Sequence, residues 1–401
     1  GRSNLRAKAA YGGYNLVDVT PDSLVFSERT PGINTQPVWT AIRLENHQYD
    51  TSIQYPRPSY AMNDSFPQVH PKWTYSAPAN VISTPAIADN QVIFGNSQGL
   101  VQALNLTTGK KTWSFATGGA IYSSPAASKN RIVFGSCDGN IYCLSAKTGK
   151  KIWSLKTDAA VLGCPLIAGD TVWIGGSDHT FRSIRLSSGK EIWRYDGLQG
   201  PVVSTPLHSS GLVIFGAWDS FLYALNSTNG ALVWKWSNGS SVPNLSPAAC
   251  MPVTHDGVVY IAAPDRFLSA IAIQTGQTLW RSNASTFRES IGISANGQWI
   301  YGKTMHDTLV AYPTSKTLQQ AAWKLNCGFG YEHVPSMPVE KEGTVFFGTR
   351  SGVIYAVNPI IPEKRWSYKL DNSMVNTVRV LNGHQLVAAT MDGKIALLET
   401  Q

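Results

Sequence analysis

The chain has 401 residues, 43% of them apolar and only 14% charged, and 33 Lys and Arg against 25 Asp and Glu leave a formal charge of +8. Gly (35) and Pro (22) are near ordinary usage while Trp (13) is high, so the chain is neither disordered nor collagen-like nor a coiled coil. The longest wholly apolar run, Val258 to Ala263, is too short to cross a bilayer as a helix, and no transmembrane segment is expected.

The chain begins with residues 1–15, which carry no apolar signal core, so an export signal is expected outside this sequence. Tyr14 to Val19, Ser23 to Glu28 and Val38 to Glu45 then read as three strands joined by Pro21-Asp22 and Pro31-Gly32 turns. Tyr49 to Ser65 is polar and Pro-containing and reads as linker. Residues 1–65 are therefore expected to form a small β-rich segment apart from the rest.

From Trp73 onward the chain repeats. Trp73, Trp113, Trp153, Trp193, Trp234, Trp280, Trp323 and Trp366 recur at intervals of 40, 40, 40, 41, 46, 43 and 43. Each unit opens with a small-hydroxyl-Pro step such as Ser83-Thr84-Pro85 or Ser204-Thr205-Pro206, and inner strands are expected to begin near Val81, Ile121, Val161, Val202, Asn244, Ile291, Val334 and Val375. An apolar strand ending in Gly follows (Val92 to Gly95, Ile132 to Gly135), then a tight turn, Cys137-Asp138-Gly139 in its clearest copy. A third strand reads Leu222 to Leu225 in one copy, a Thr-Gly-Lys turn reverses the chain, and the Trp strand closes the unit. Val, Ile, Tyr, Trp and Thr suit pleated surfaces packed on both faces, and Gly and Asp/Asn supply the positive φ of tight hairpins. Four short strands in about 40 residues cannot hide both faces alone, but a ring of such sheets can. An all-β, eight-bladed propeller of four-stranded antiparallel blades over 66–401 is expected. The last copy, Leu386 to Glu399, stops without its Trp strand, while Pro71 to Tyr75 is a Trp strand with no blade before it; Trp73 is expected to complete the final blade.

These residues resemble the pyrroloquinoline-quinone-like repeat of quinoprotein alcohol dehydrogenases and of outer-membrane assembly propeller lipoproteins. The resemblance spans about residues 71–401 and implies the scaffold. The dehydrogenases add a vicinal Cys-Cys ring, a Ca²⁺ site and a catalytic Asp, and the Cys-Cys pair is absent here. Gly12 to Val19 followed by Ser23 to Arg29 resembles the tail of a calcineurin-like metallophosphoesterase, an enzyme that binds two metals through DxH, GDxxD, GNH[DE] and GHxH motifs, none of which occurs in this chain. An ordinary extension packing on the propeller is the other reading of that segment. The resemblances imply a non-catalytic, extracytoplasmic binding module of the periplasm or cell envelope, the C-terminal part of a metal-dependent phosphoester hydrolase. A quinoprotein-type oxidoreductase and a pure envelope scaffold are the alternatives. No cofactor, metal or catalytic residue is expected in this chain.

A site is sought where the copies stop looking alike, on the face shared by the turns into each inner strand and those between second and third strands. Before the seventh blade a turn is expected to expand over Asn326 to His333, bringing Phe329, Tyr331 and His333. The preceding one carries Phe287-Arg288-Glu289, and the matching inner turns hold Trp218, His306 and Arg350 where other copies have Ser97 or Ser177. Aromatics with Arg and His suit stacking on and hydrogen-bonding a protein, peptide or glycan, and Arg288 and Arg350 suit a carboxylate or phosphate; the alternative is packing. Nucleic acid is not expected, because the lysines come as pairs in turns. Lys110, Lys111, Lys150, Lys151 and Lys190 predict a basic outer sector over blades 1 to 3. The five Cys read as buried thiols, with a Cys137–Cys143 bridge as the alternative.

Overall fold

The computed structural model describes residues 14–29, 38–44, 58–240 and 242–400. The chain divides into two compact units, Gly1–Pro58 and Ser59–Gln401. In the first, Tyr14–Val19, Ser23–Arg29 and Val38–Arg43 form one three-stranded antiparallel sheet in chain order. The expected continuation of the third strand to Glu45 and the first part of the expected linker fall outside the described residues.

The second unit is an eight-bladed β-propeller. Eight four-stranded antiparallel sheets follow one another, blade 1 over 86–116, blade 2 over 126–156, blade 3 over 166–195, blade 4 over 207–237, blade 5 over 253–282, blade 6 over 287–331, blade 7 over 339–369 and blade 8 over 379–400. The fourth strand of blade 8 is Val69–Ser76, with Trp73 opposite Leu397 and Tyr75 opposite Ile395. The ring is thus latched by backbone hydrogen bonds between distant parts of the chain, as the missing Trp strand required. Helix among the described residues is confined to three short 3₁₀ turns, Ala61–Ser65, Pro243–Leu245 and Pro247–Ala249. The first of these, read as linker from sequence, packs on blade 7. Asn63 Oδ1 accepts the Lys369 N–H at 2.7 Å and its Nδ2 donates to the Lys369 carbonyl at 3.1 Å.

Two expectations are corrected. The small-hydroxyl-Pro steps do not belong to the inner strands, which in blade 1 cover only Ala86–Ala88. In blades 1 and 2 the first hydroxyl bonds backbone instead, Ser83 Oγ to the Gly95 carbonyl at 3.1 Å and Ser123 Oγ to the Gly163 carbonyl at 2.7 Å, whereas Ser204 Oγ is buried without a partner among the described residues. The entry to blade 5, expected to start a strand at Asn244, is 3₁₀ turn, and its inner strand is Val253–His255.

Strand alternation sends successive side chains to opposite joints between blades. Ile93, Val101 and Ala103 of blade 1 meet Ile132, Phe134 and Leu144 of blade 2. Val133, Cys143 and Trp153 of blade 2 meet Val172, Ile174 and Ile184 of blade 3. The repeated Trp then fastens one blade to the next. Its indole Nε1–H donates to a carbonyl of the following blade: Trp73 to Leu106 (2.8 Å), Trp113 to Ala146 (2.9 Å), Trp153 to Leu186 (2.8 Å), Trp193 to Ser227 (3.1 Å), Trp234 to Ile273 (2.7 Å) and Trp280 to Ser315 (3.0 Å). In the first five of these the ring lies on the Gly of the Thr-Gly-Lys-type turn; a Cβ on Gly189 would sit 2.7 Å from Trp153 Cδ2. Trp323 and Trp366 make no such bond among the described residues, because Pro359-Ile360-Ile361-Pro362 replaces the turn in blade 7 and blade 8 has no turn between Thr400 and Val69.

Candidate binding face

Blades 2 to 5 build their turns between second and third strands on a repeated Asp. Asp138 accepts hydrogen bonds from the Gly118 N–H (2.8 Å), the Asn140 N–H (2.9 Å) and the Tyr142 hydroxyl (2.8 Å). Burial raises its pKa, but the bonds from Asn140, Tyr142 and the Gly118 amide outweigh burial and hold its carboxyl below the usual range. Asp219 takes the same part in blade 4, with Gln199 N–H at 3.0 Å and Tyr223 hydroxyl at 2.8 Å. Blade 3 substitutes Arg182 for the Tyr, held by Asp178 in a buried pair at 2.5 Å, and blade 5 uses Asp265 with Arg281. Each Asp thereby locks a turn to its surroundings.

At blades 6 and 7 this scheme inverts. Blade 7 offers Arg350-Ser351 in place of the Asp, and the acid comes from the connecting chain. Glu332 accepts the Arg350 N–H at 2.7 Å and the Val334 N–H at 3.0 Å. Its partner charge is Lys303, 3.7 Å away, with both side chains almost wholly buried (2% and 1% exposed). Lys303 Nζ also donates to the carbonyls of Val334 (3.1 Å) and Gly348 (3.0 Å). Burial pushes its ammonium down to about 8, with Glu332 pulling the other way.

Strand register shows how Lys303 came to lie there. Gly95 pairs with Val101 in blade 1, and Lys303 pairs with Leu309 at the equivalent place in blade 6. In blades 1 to 3 that Gly leaves room for an aliphatic side chain of the next blade, Ile121 over Gly95, Val161 over Gly135 and Val202 over Gly175. In blade 6 the Lys takes the room. The preceding position, aromatic in blade 1 (Phe94), is Gly302, and Phe287 fills the volume: a Cβ on Gly302 would meet its ring at 2.0 Å.

Both segments expected as turns are strand, which is a correction. Phe287–Ile293 is the first strand of blade 6, bulged between Phe287 and Ile291. Trp323–Tyr331 is its fourth, and a register shift carries it from Asn326 opposite Thr308 to Tyr331 opposite His306. Bulges re-aim side chains, and here the second one sets Tyr331 between two imidazoles. The ring of His306 lies 5.3 Å from that of Tyr331, and Tyr331 lies 5.3 Å from His333. Tyr331 is 43% exposed, and the Arg350 side chain beside Glu332 reaches solvent.

The remaining expected site residues divide. Arg288 sits in the first bulge, two residues from Ser290, whose Oγ donates to the Val334 carbonyl at 3.2 Å and so ties it to the His333 segment. Arg288 Nε and His333 Nδ1 are both buried without a hydrogen-bond partner among the described residues. Glu289 between them in the chain is buried at φ +64°, and burial pushes its carboxyl up while Arg288 pulls it down. Trp218 is half-buried on blade 4, its backbone N–H bonded to the Pro201 carbonyl at 3.0 Å, and no hydrogen bond or ring contact among the described residues joins it to this group. Phe329 is not on the face. The bulge turns it into the core, 9% exposed and edge-on to Phe347 and Tyr355 at 5.9 and 6.1 Å.

All five Cys are free thiols. Cys143 is enclosed between blades 2 and 3, where burial pushes its thiol up to about 12, so it cannot meet Cys137 on the turn. Lys110, Lys111, Lys150, Lys151 and Lys190 are all exposed on the outer turns of blades 1 to 3.

The family model described as outer membrane protein assembly factor BamB matches residues 70–126, 97–324 and 268–401. BamB from Moraxella catarrhalis is 19% identical with a TM-score of 0.67 over 82% of this chain and 99% of that one. The computationally designed Ika8 protein is 16% identical, TM-score 0.69, over 81% and 97%. Quinohemoprotein alcohol dehydrogenase ADHIIG from Pseudomonas putida HK5 is 14% identical, TM-score 0.65, over 83% and 76%. No curated protein matches the sequence. At these identities the structures share the fold alone. The quinone and Ca²⁺ of a quinoprotein do not fit the residues present. No two Cys are adjacent, and no group of three His, Cys, Asp or Glu side chains gathers among the described residues.

Proposed function

Since the chain belongs to the outer membrane protein assembly factor BamB family, we propose that it is a non-catalytic protein-binding propeller of the bacterial cell envelope. One observation carries this reading: the regular blades give way at blades 6 and 7 to a braced patch of exposed side chains, His306, Tyr331 and Arg350, with half-buried His333 among them and two buried nitrogens, Arg288 Nε and His333 Nδ1, without partners among the described residues. Aromatic and Arg side chains on a fixed backbone are what a protein interface uses as anchors. The partner expected is a segment presenting a carboxylate to Arg350 and an apolar or aromatic side chain to Tyr331. No described helix is long and apolar enough to cross a membrane.

The same proposal takes the first unit, up to Pro58, as the end of a calcineurin-like metallophosphoesterase domain and the second as its binding module, the expected boundary at residue 65 moving to 58 because Ala61–Ser65 packs on blade 7. The three-stranded sheet over 14–43 supports it. Photo-crosslinking from position 331 in an envelope fraction tests the binding face, with position 190 as control. A distinct adduct from 331, lost on Arg350→Ala, is expected; identical adducts from both positions would remove the face. Metal-dependent hydrolysis of a phosphodiester by the full gene product tests the enzymatic half separately.

A further inference from the structure

We propose that the axial channel holds a site for a small anionic molecule with an apolar body, its carboxylate gripped by Arg379. The site is independent of the binding face. A cavity of about 520 Å³ is lined by inner-strand residues of blades 8, 1, 2 and 3, by Ser124, Pro125 and Pro165 just before those strands, and by Thr205 at the entry to blade 4. That volume lies within the roughly 300–1,000 Å³ that holds small ligands.

Arg379 is out of place in its layer. It pairs with Val387 as Ala86 pairs with Ile93, Ala126 with Val133, Leu166 with Trp173 and Gly292 with Tyr301. The other seven blades place Ala, Leu, Val or Gly there, so one guanidinium stands in an otherwise uncharged ring. Its Nε donates to the Pro85 carbonyl at 2.7 Å. Nη1 and Nη2 have no protein acceptor, and no carboxylate pairs with the group, among the described residues. The side chain is exposed, and the protein around it depresses its pKa. Protein crowds the guanidinium while part of the side chain still meets solvent, and Cys164 pulls its pKa back up.

The other polar groups of the cavity are hydroxyls. Ser124 Oγ accepts the Thr84 N–H at 2.9 Å, which leaves its proton free to donate, and Thr205 Oγ1 has no partner among the described residues. The walls are otherwise Ala, Pro, Ile, Val and Leu. A confined cation with donors around it and no acceptor charge draws an anion. The free guanidinium edge presents two parallel N–H groups that match a carboxylate, and the apolar walls accept the rest of the molecule. Closing the ring does not require this group: Asn376 Nδ2 already bridges blade 8 to the Val81 carbonyl at 2.8 Å.

The test is calorimetric titration with benzoate, benzyl alcohol and inorganic phosphate at fixed ionic strength. Benzoate is expected to bind saturably, at least ten-fold tighter than either of the others. Arg379→Met is expected to weaken benzoate at least ten-fold and Thr205→Val a few-fold, each with an unchanged circular dichroism spectrum. If Arg379→Met does not fold, Arg379→Lys, which keeps the charge and loses the fork, is expected to show the same direction. The proposal is overturned by no saturable benzoate binding, by equal binding of benzyl alcohol or phosphate, or by undiminished binding in the Arg379 variant.

Discussion

Replacing Lys303 by Met should destabilise the propeller by about 4 kcal/mol. The pair is almost fully buried, and removing one member strands the other; such losses run to roughly 3–5 kcal/mol. Glu332 would keep the N–H groups of Val334 and Arg350, which favours the low end. The Gly348 carbonyl would lose its Lys303 donor, adding about 1 kcal/mol, whereas the Val334 carbonyl would keep the Ser290 hydroxyl. Glu332→Gln should cost about 3 kcal/mol for the mirror reason. At 3.7 Å two unit charges attract by about 4 kcal/mol at an effective dielectric of about 20, so the double variant should recover about 2–4 kcal/mol of the summed single costs. Urea unfolding followed by Trp fluorescence measures all four proteins. A Lys303→Met protein within about 0.5 kcal/mol of wild type, or single costs that simply add, would show that the pair does not brace blades 6 and 7.

The same Lys sets a pH dependence. Its pKa falls from 10.5 unfolded to about 8 folded, so between these values the unfolded chain binds more protons and stability rises with pH; wild type should gain on Lys303→Met as pH is raised through this window in thermal melts. Gly189→Ala should cost about 2–4 kcal/mol, because the new Cβ meets the Trp153 ring at φ +73°, whereas Gly169→Ala, at φ +60° with open space around it, should cost about 1 kcal/mol in the same melts. Trp73→Ala should remove about 3–5 kcal/mol and loosen the seam first: hydrogen exchange should speed up across Lys394–Thr400 and stay slow across Arg131–Gly135.

The architecture was legible because one bulky residue, Trp, recurs at a nearly fixed interval and each copy needs the next to cover its indole. The closure was legible from a shortfall: a final copy without its Trp strand and an initial Trp strand without a blade. Blade 6 resisted reading. Its two bulges add residues without changing the apparent order, so the segments with Arg288 and Tyr331 passed for turns, and Phe329 was given to the surface when the second bulge turns it inward. Lys303 was missed although a signal existed: the Gly closing the second strand in blades 1 to 4 is Lys there, and a charge in place of a buried Gly must find a partner. Arg379 broke its layer just as visibly, but only strand register shows that the layer exists.

The latch has a consequence for how the ring comes into being. Tyr75 waits for Ile395, 320 positions later, so the whole of blade 8 must be made before the seam can shut. Contacts so remote in sequence form slowly, and until then both lips of the gap show unpaired backbone to any neighbouring chain. A nascent molecule delayed at that stage would be open to capture, either by a chaperone or by the same gap in another copy.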